Sequence, residues 1–119
     1  ITVTPTTLLT EAKELFEKHG IHHLPVVDFA GDVRGLISNT DYLKLATTPA
    51  NIVGDIMSTK LAKLESGDTV RTAAALLRLN RFHALPVMDD GKLVGIITSL
   101  DLIKLLVEEP VELKDYANA

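Results

Sequence analysis

Apolar and polar residues follow two periods along this chain, and the same order of periods is met twice. Ile1-Thr2-Val3-Thr4 alternates residue by residue, as a short strand does. From Leu8 the spacing lengthens: Leu8, Ala12, Leu15, Phe16 and His19 fall on one helical face. Thr7 suits the N-cap of that helix and Gly20 its left-handed end. Residues 21–28 read as a strand, with Pro25 marking an edge or a break in pairing. Ala30-Gly31-Asp32 reads as a hairpin turn into a strand over 33–37, and a second helix is predicted over 39–46. After a loop at Thr47-Thr48-Pro49-Ala50, the segment Val53-Gly54-Asp55-Ile56-Met57-Ser58 reads as a short helical turn leading onward. The order then returns. A strand over 60–64 comes first, then a helix capped by Asp68 that carries Val70, Ala73, Ala74 and Leu77. A strand over 82–88, a turn at Asp89-Asp90-Gly91, a strand over 93–97 and a helix over 100–107 follow, with a stop near Pro110.

The repetition extends to individual residues. His22-His23-Leu24-Pro25-Val26-Val27-Asp28 recurs as His83-Ala84-Leu85-Pro86-Val87-Met88-Asp89, 61 positions later. Gly35-Leu36-Ile37-Ser38-Asn39-Thr40-Asp41 recurs as Gly95-Ile96-Ile97-Thr98-Ser99-Leu100-Asp101, 60 positions later. The one-residue difference falls in a turn, where length changes cost little. Each half reads strand–helix–strand–strand–helix, an α/β layered arrangement. Two such units can bury their apolar faces together and leave a cleft between them, with each polar motif present twice around it.

Composition narrows the function. Of 119 residues, 46% are hydrophobic but only three are Phe and two Tyr, so the core is aliphatic. Each half, at roughly 60 residues, sits at the margin of independent stability, so a shared core is expected. Leu8, Leu9, Leu43, Leu45, Leu102, Leu105 and Leu106 form an aliphatic surplus suited to an oligomer interface. A net charge of −4 without a basic run argues against nucleic-acid binding. There is no cysteine, which excludes disulfides and thiol catalysis and leaves the redox compartment open. With no apolar run of membrane-spanning length and no visible signal peptide, the expectation is a cytoplasmic protein that does not enter a membrane. The opening at Ile1, within a strand, suits an excised domain.

Ser38-x-x-Asp41 and Thr98-x-x-Asp101 carry the candidate chemistry. Either pair can be a capping box, hydroxyl and acid closing a helix start. The same geometry lets the carboxylate accept from a ribose diol while a hydroxyl and free backbone N–H groups hold a phosphate. The two roles are compatible. His19, His22, His23 and His83 fit no common zinc spacing, so no metal site is expected. No nucleophile elbow, P-loop or GxGxxG is present, and no catalytic residue is assigned. Gly35 and Gly95 sit inside strands, where a missing side chain permits close approach of backbone or ligand.

These duplicated motifs, with the lead-in Asp55-Ile56-Met57-Ser58, resemble a tandem pair of cystathionine-β-synthase (CBS) domains. The resemblance implies two β-α-β-β-α repeats related by a pseudo-two-fold, over 1–48 and 59–109, with 49–58 as linker and short helical turn and 110–119 as a fraying tail. It implies a regulatory module that senses AMP, ADP, ATP or S-adenosylmethionine between the repeats, needs no cofactor and is not an enzyme. The alternative is a structural dimerisation or docking module with empty clefts. By analogy, the first site joins Ser38, Thr40 and Asp41 to Lys60, Leu61, Ala62, Phe82, His83 and Ala84. The second joins Ile96, Thr98 and Asp101 to Thr2, Ile21, His22 and His23, with Ile1 at its flank. The first is favoured, because Leu100 stands where it has Thr40. A homodimer, a flat disc of four repeats, and an attached or partner effector domain complete the expectation.

Overall fold

The computed structural model describes residues 1–80 and 83–107. Its elements are α1 (Leu9–His19), β1 (His23–Val27), β2 (Val33–Ser38), a 3-10 helix (Asn39–Ala46), a 3-10 turn (Val53–Asp55), β3 (Leu64–Glu65), α2 (Val70–Asn80), β4 (Ala84–Asp89), β5 (Lys92–Thr98) and α3 (Ser99–Leu106). The duplication survives in three dimensions. β1 pairs antiparallel with β2, and β4 with β5, each with a register shift at the matching place, Val26/Val27 and Val87/Met88. Val3 bridges Val26 in parallel, as Leu64 pairs with Val87. Pro25 costs that pairing nothing: its carbonyl accepts from Val3 N–H at 3.0 Å, and the next donor is Val27.

The termini of the helices differ in detail from expectation. Gly20 ends α1 at φ 61°, the left-handed region. Thr7 does not cap its start; the Thr7 hydroxyl accepts from Thr4 N–H at 3.0 Å. The first helical N–H, that of Leu9, is taken by the carbonyl of Asn51 at 2.9 Å, and Leu8 is drawn into a bridge with Ile52. The buried face therefore shifts by one residue, to Leu9, Ala12 and Phe16, and leaves Leu8 and His19 exposed. At α2 the cap is Thr69, whose hydroxyl accepts from Thr72 N–H at 3.1 Å, while Asp68 accepts from Glu65 N–H. On that helix Ala73 and Leu77 are buried, whereas Val70 and Ala74 are exposed. The expected strand over 60–64 contracts to Leu64–Glu65.

The second helix of the first half is 3-10 throughout its eight residues, longer than such runs usually persist. Tertiary bonds hold it. The Tyr42 hydroxyl donates to Leu9 carbonyl at 2.7 Å, and Lys44 Nζ donates to Ile56 carbonyl at 2.8 Å. Tyr42 also meets Phe16 edge-on, with ring centroids 6.2 Å apart.

Two apolar clusters result. The first gathers nine buried residues: Val3, Leu9, Ala12, Phe16, Leu24, Val26, Ile37, Val53 and Ile56. The second gathers four among the described residues: Leu64, Ala73, Leu77 and Leu85. Val53 and Ile56 come from the segment read as a linker, so that segment is part of the first half's interior. Met57 and Ser58 continue along the outer edge of β2, where Leu36 and Ser58 exchange both backbone hydrogen bonds at 3.0 and 2.9 Å. Of the leucines assigned to an interface, Leu9 is buried in the first core and Leu102 packs against the second, because each faces its own sheet. Leu8, Leu43, Leu45, Leu105 and Leu106 are exposed. The stop near Pro110 and the tail over 110–119 lie outside the described residues.

Candidate functional site

The site is built where β2 and β5 run into their helices. Ser38 ends β2 and is the N-cap of the 3-10 helix, so Asp41 falls at its third position and turns back. Its Oδ2 accepts from Ser38 N–H at 2.8 Å and from the Ser38 hydroxyl at 3.2 Å. Ser38 Oγ also lies 2.9 Å from the Thr40 hydroxyl. In the second half, Asp101 Oδ2 accepts from Thr98 N–H at 2.8 Å and from the Thr98 hydroxyl at 3.0 Å. Thr98 Oγ1 accepts in return from Asp101 N–H at 3.2 Å. Both motifs are capping boxes, and each acid is also among the residues lining a cleft.

The first cleft, a cavity of about 330 Å³, brings together Ser38, Thr40, Asp41, Lys60, Leu61, His83 and Ala84. Ala62 does not join them; it packs against the second core. Phe82 lies outside the described residues. The second cleft, about 380 Å³, brings together Ile21, His22, His23, Ile96, Thr98 and Asp101. Thr2 and Ile1 line an adjoining cavity of about 300 Å³ that shares Ile21, His23 and Ile96 with it. Each volume reaches the range of small-molecule sites, roughly 300–1,000 Å³.

Several participants escaped the sequence reading. Ser58 lines the first cleft, and its hydroxyl donates to Asp41 Oδ1 at 3.3 Å. Lys44 Nζ stands 3.0 Å from the same oxygen. Asn39 donates its side-chain amide to His22 Nδ1 at 2.9 Å and its N–H to His22 carbonyl, as Ser99 N–H does to His83 carbonyl. The available signal was position: Asn39 and Ser99 follow the motif hydroxyls directly, and Ser58 closes the lead-in motif.

His23 and His83 line both clefts, so one wall serves two sites. Burial holds the His23 imidazole below its ordinary pKa, and the neighbouring His83 and His22 push the same way, while Asp41 opposes them. Arg34 is engaged elsewhere, 3.6 Å from Asp28. Lys60 is the exposed cation on the first cleft's wall. Among the described residues no three His, Cys, Asp or Glu gather as a metal set, and no helix is long and apolar enough to cross a membrane.

Comparison with known proteins agrees with this fold. A family model for the CBS domain matches residues 1–47 and 53–108. A CBS domain-containing protein of Dictyostelium discoideum is 35% identical over 92% of this chain and 88% of its own length. A homoserine O-acetyltransferase of Methanocorpusculum labreanum is 33% identical over 82% of this chain but only 20% of its own length. The chain thus spans about one fifth of such enzymes, whose names belong to much longer proteins. Among solved structures, CBSX2 in complex with AMP superposes with a TM-score of 0.79 at 31% identity, covering 91% of this chain and 87% of that one. The CBS domain pair of protein MJ0100, in complex with 5′-methylthioadenosine and S-adenosyl-L-methionine, gives 0.80 at 28% identity, covering 90% and 89%.

Proposed function

The chain belongs to the CBS-domain family, and from that premise we propose that it is a regulatory module that binds an adenosine-containing ligand between its repeats. The observation that carries this reading is the pair of capping-box carboxylates, each lining a cleft of ligand size. A ribose diol offers the donors such an acid accepts. The hydroxyls of Ser38, Thr40 and Thr98, with Lys60 and the imidazoles of His22 and His83, are candidates for a phosphate. AMP-bound and S-adenosylmethionine-bound relatives of the same fold support the ligand class. No side chain is assigned to turnover; binding would change the relative setting of the repeats and be felt by an attached domain or partner.

A thermal-shift series with AMP, ADP, ATP and S-adenosylmethionine tests the reading. A ligand at a hundred times its Kd adds about 2.7 kcal/mol and raises Tm on the order of 10 °C. Asp41→Ala and Asp101→Ala are each expected to weaken their own cleft by about 1.5–3 kcal/mol, the worth of a charged hydrogen bond. If no compound shifts Tm, a docking module with empty clefts replaces this reading.

We also propose a homodimer. Leu43 on the 3-10 helix and Leu100, Ile103 and Leu106 on α3 are each more than half exposed, an apolar area that a second copy can cover. Light scattering at micromolar concentration is expected to give twice the chain mass; the single mass would contradict it.

A further inference from the structure

The two acids differ in one respect that the duplicated motif hides. A carboxylate has about four lone-pair sites, two on each oxygen. Asp41 has all four in use: Oδ2 by Ser38 N–H and hydroxyl, Oδ1 by Lys44 Nζ at 3.0 Å and the Ser58 hydroxyl at 3.3 Å. Asp101 spends Oδ2 on Thr98 in the same way, and no described bond reaches its Oδ1. Lys104 occupies the position equivalent to Lys44 but is exposed and makes no ion pair with Asp101.

An exposed lysine facing a carboxylate is ordinarily worth little. Lys44 is held more firmly, because its ammonium also donates to Ile56 carbonyl at 2.8 Å, and Asp41 is buried. Ile56 lies in the first core, and Ser58 is bonded along β2. The ammonium is therefore fixed between the cleft's acid and the 53–58 segment, on the Asp41 oxygen whose counterpart in Asp101 has no described partner.

We propose that Lys44 gates the first cleft. It keeps Asp41 Oδ1 occupied, so that the second cleft fills first and the first accepts ligand only as Lys44 lets go of the acid. This reverses the order expected from sequence and rests on the adenosine-ligand reading above. Filling the first cleft would then loosen the bond from Lys44 to Ile56 carbonyl, which links that cleft to the segment entering the second half.

The test compares wild type with Lys44→Met, which keeps the apolar stem, and with Ser58→Ala, which frees the other bond. AMP is titrated against both clefts, with the amide resonances of Asp41 and Asp101 as reporters. Hydrogen exchange of the 53–58 amides is measured without AMP. In wild type the Asp101 cleft should saturate first. Lys44→Met should tighten the Asp41 cleft about tenfold, leave the Asp101 cleft unchanged and speed 53–58 exchange several-fold; Ser58→Ala should tighten the Asp41 cleft by less. A wild-type Asp41 cleft that fills first, or one indifferent to Lys44→Met, overturns the gate. If AMP binds neither cleft in any variant, the ligand reading falls, and the gate is then decided by exchange alone: unchanged 53–58 exchange rejects it.

Discussion

Leu24→Ala is expected to lower unfolding stability by about 2–5 kcal/mol. Leu24 is fully buried in β1 and belongs to the nine-residue first cluster with Phe16, Ile37 and Ile56. Its neighbours are fixed by strand pairing and by the 53–58 segment, so the cavity cannot close, and the transfer and cavity terms add. Leu85 is its counterpart, buried to a similar degree, but among the described residues it belongs to a cluster of four beside a β5 with no fully buried residue. That surrounding can collapse more readily, so Leu85→Ala should fall at the low end of the same range. Urea unfolding with a constant m-value checks both. A loss under about 1 kcal/mol at Leu24 would mean the first cluster is not the stabilising core.

Gly35→Val is expected to cost about 3 kcal/mol or more, whereas Gly95→Val should stay within about 0.5 kcal/mol of the parent. The two glycines hold the same place in the duplicated motif. A Cβ at Gly35 would stand 2.7 Å from Ser58 carbonyl oxygen and 3.0 Å from Met57 Sδ. That oxygen accepts from Leu36 N–H, so it cannot retreat without breaking the strand edge. Among the described residues a Cβ at Gly95 meets nothing within 4 Å, and a β-branched residue suits an exposed strand position. Thermal unfolding of the two variants side by side decides the matter; equal losses would show that the glycines are needed for backbone freedom and not for what lies over them.

Much of this architecture is legible in the chain because the repeat is written in residues that fix register. Leu-Pro-Val and Gly-x-x-Ser/Thr-x-x-Asp each mark a strand with its exit, and the hairpins fall in matching register with matching shifts. The cleft residues were accessible for the same reason, since strand ends and helix starts meet there. What escaped depends on contacts between distant segments. Nothing near Leu8 shows that Asn51 will cap α1 and turn the helical face by one residue. Thr69 and Asp68 are adjacent and both able to cap, so local chemistry leaves the choice open until the turn at Glu65 claims Asp68. Lys44 looks like any solvated lysine until Ile56 carbonyl and Asp41 are brought to it.

The placement of Val53, Ile56 and Ser58 bears on how the molecule can be divided. Sequence repeats suggest two interchangeable pieces with a tether between them. Severed at Pro49, however, the leading piece would forfeit Val53 and Ile56 from its interior, the carbonyl that caps the start of α1 and the bridge from Ser58 to β2. The trailing piece would carry those residues with nothing to receive them. The halves are dovetailed, and the shortest stretch that keeps the leading interior whole is 1–58, ten residues beyond the point where the repeat pattern alone would place the joint.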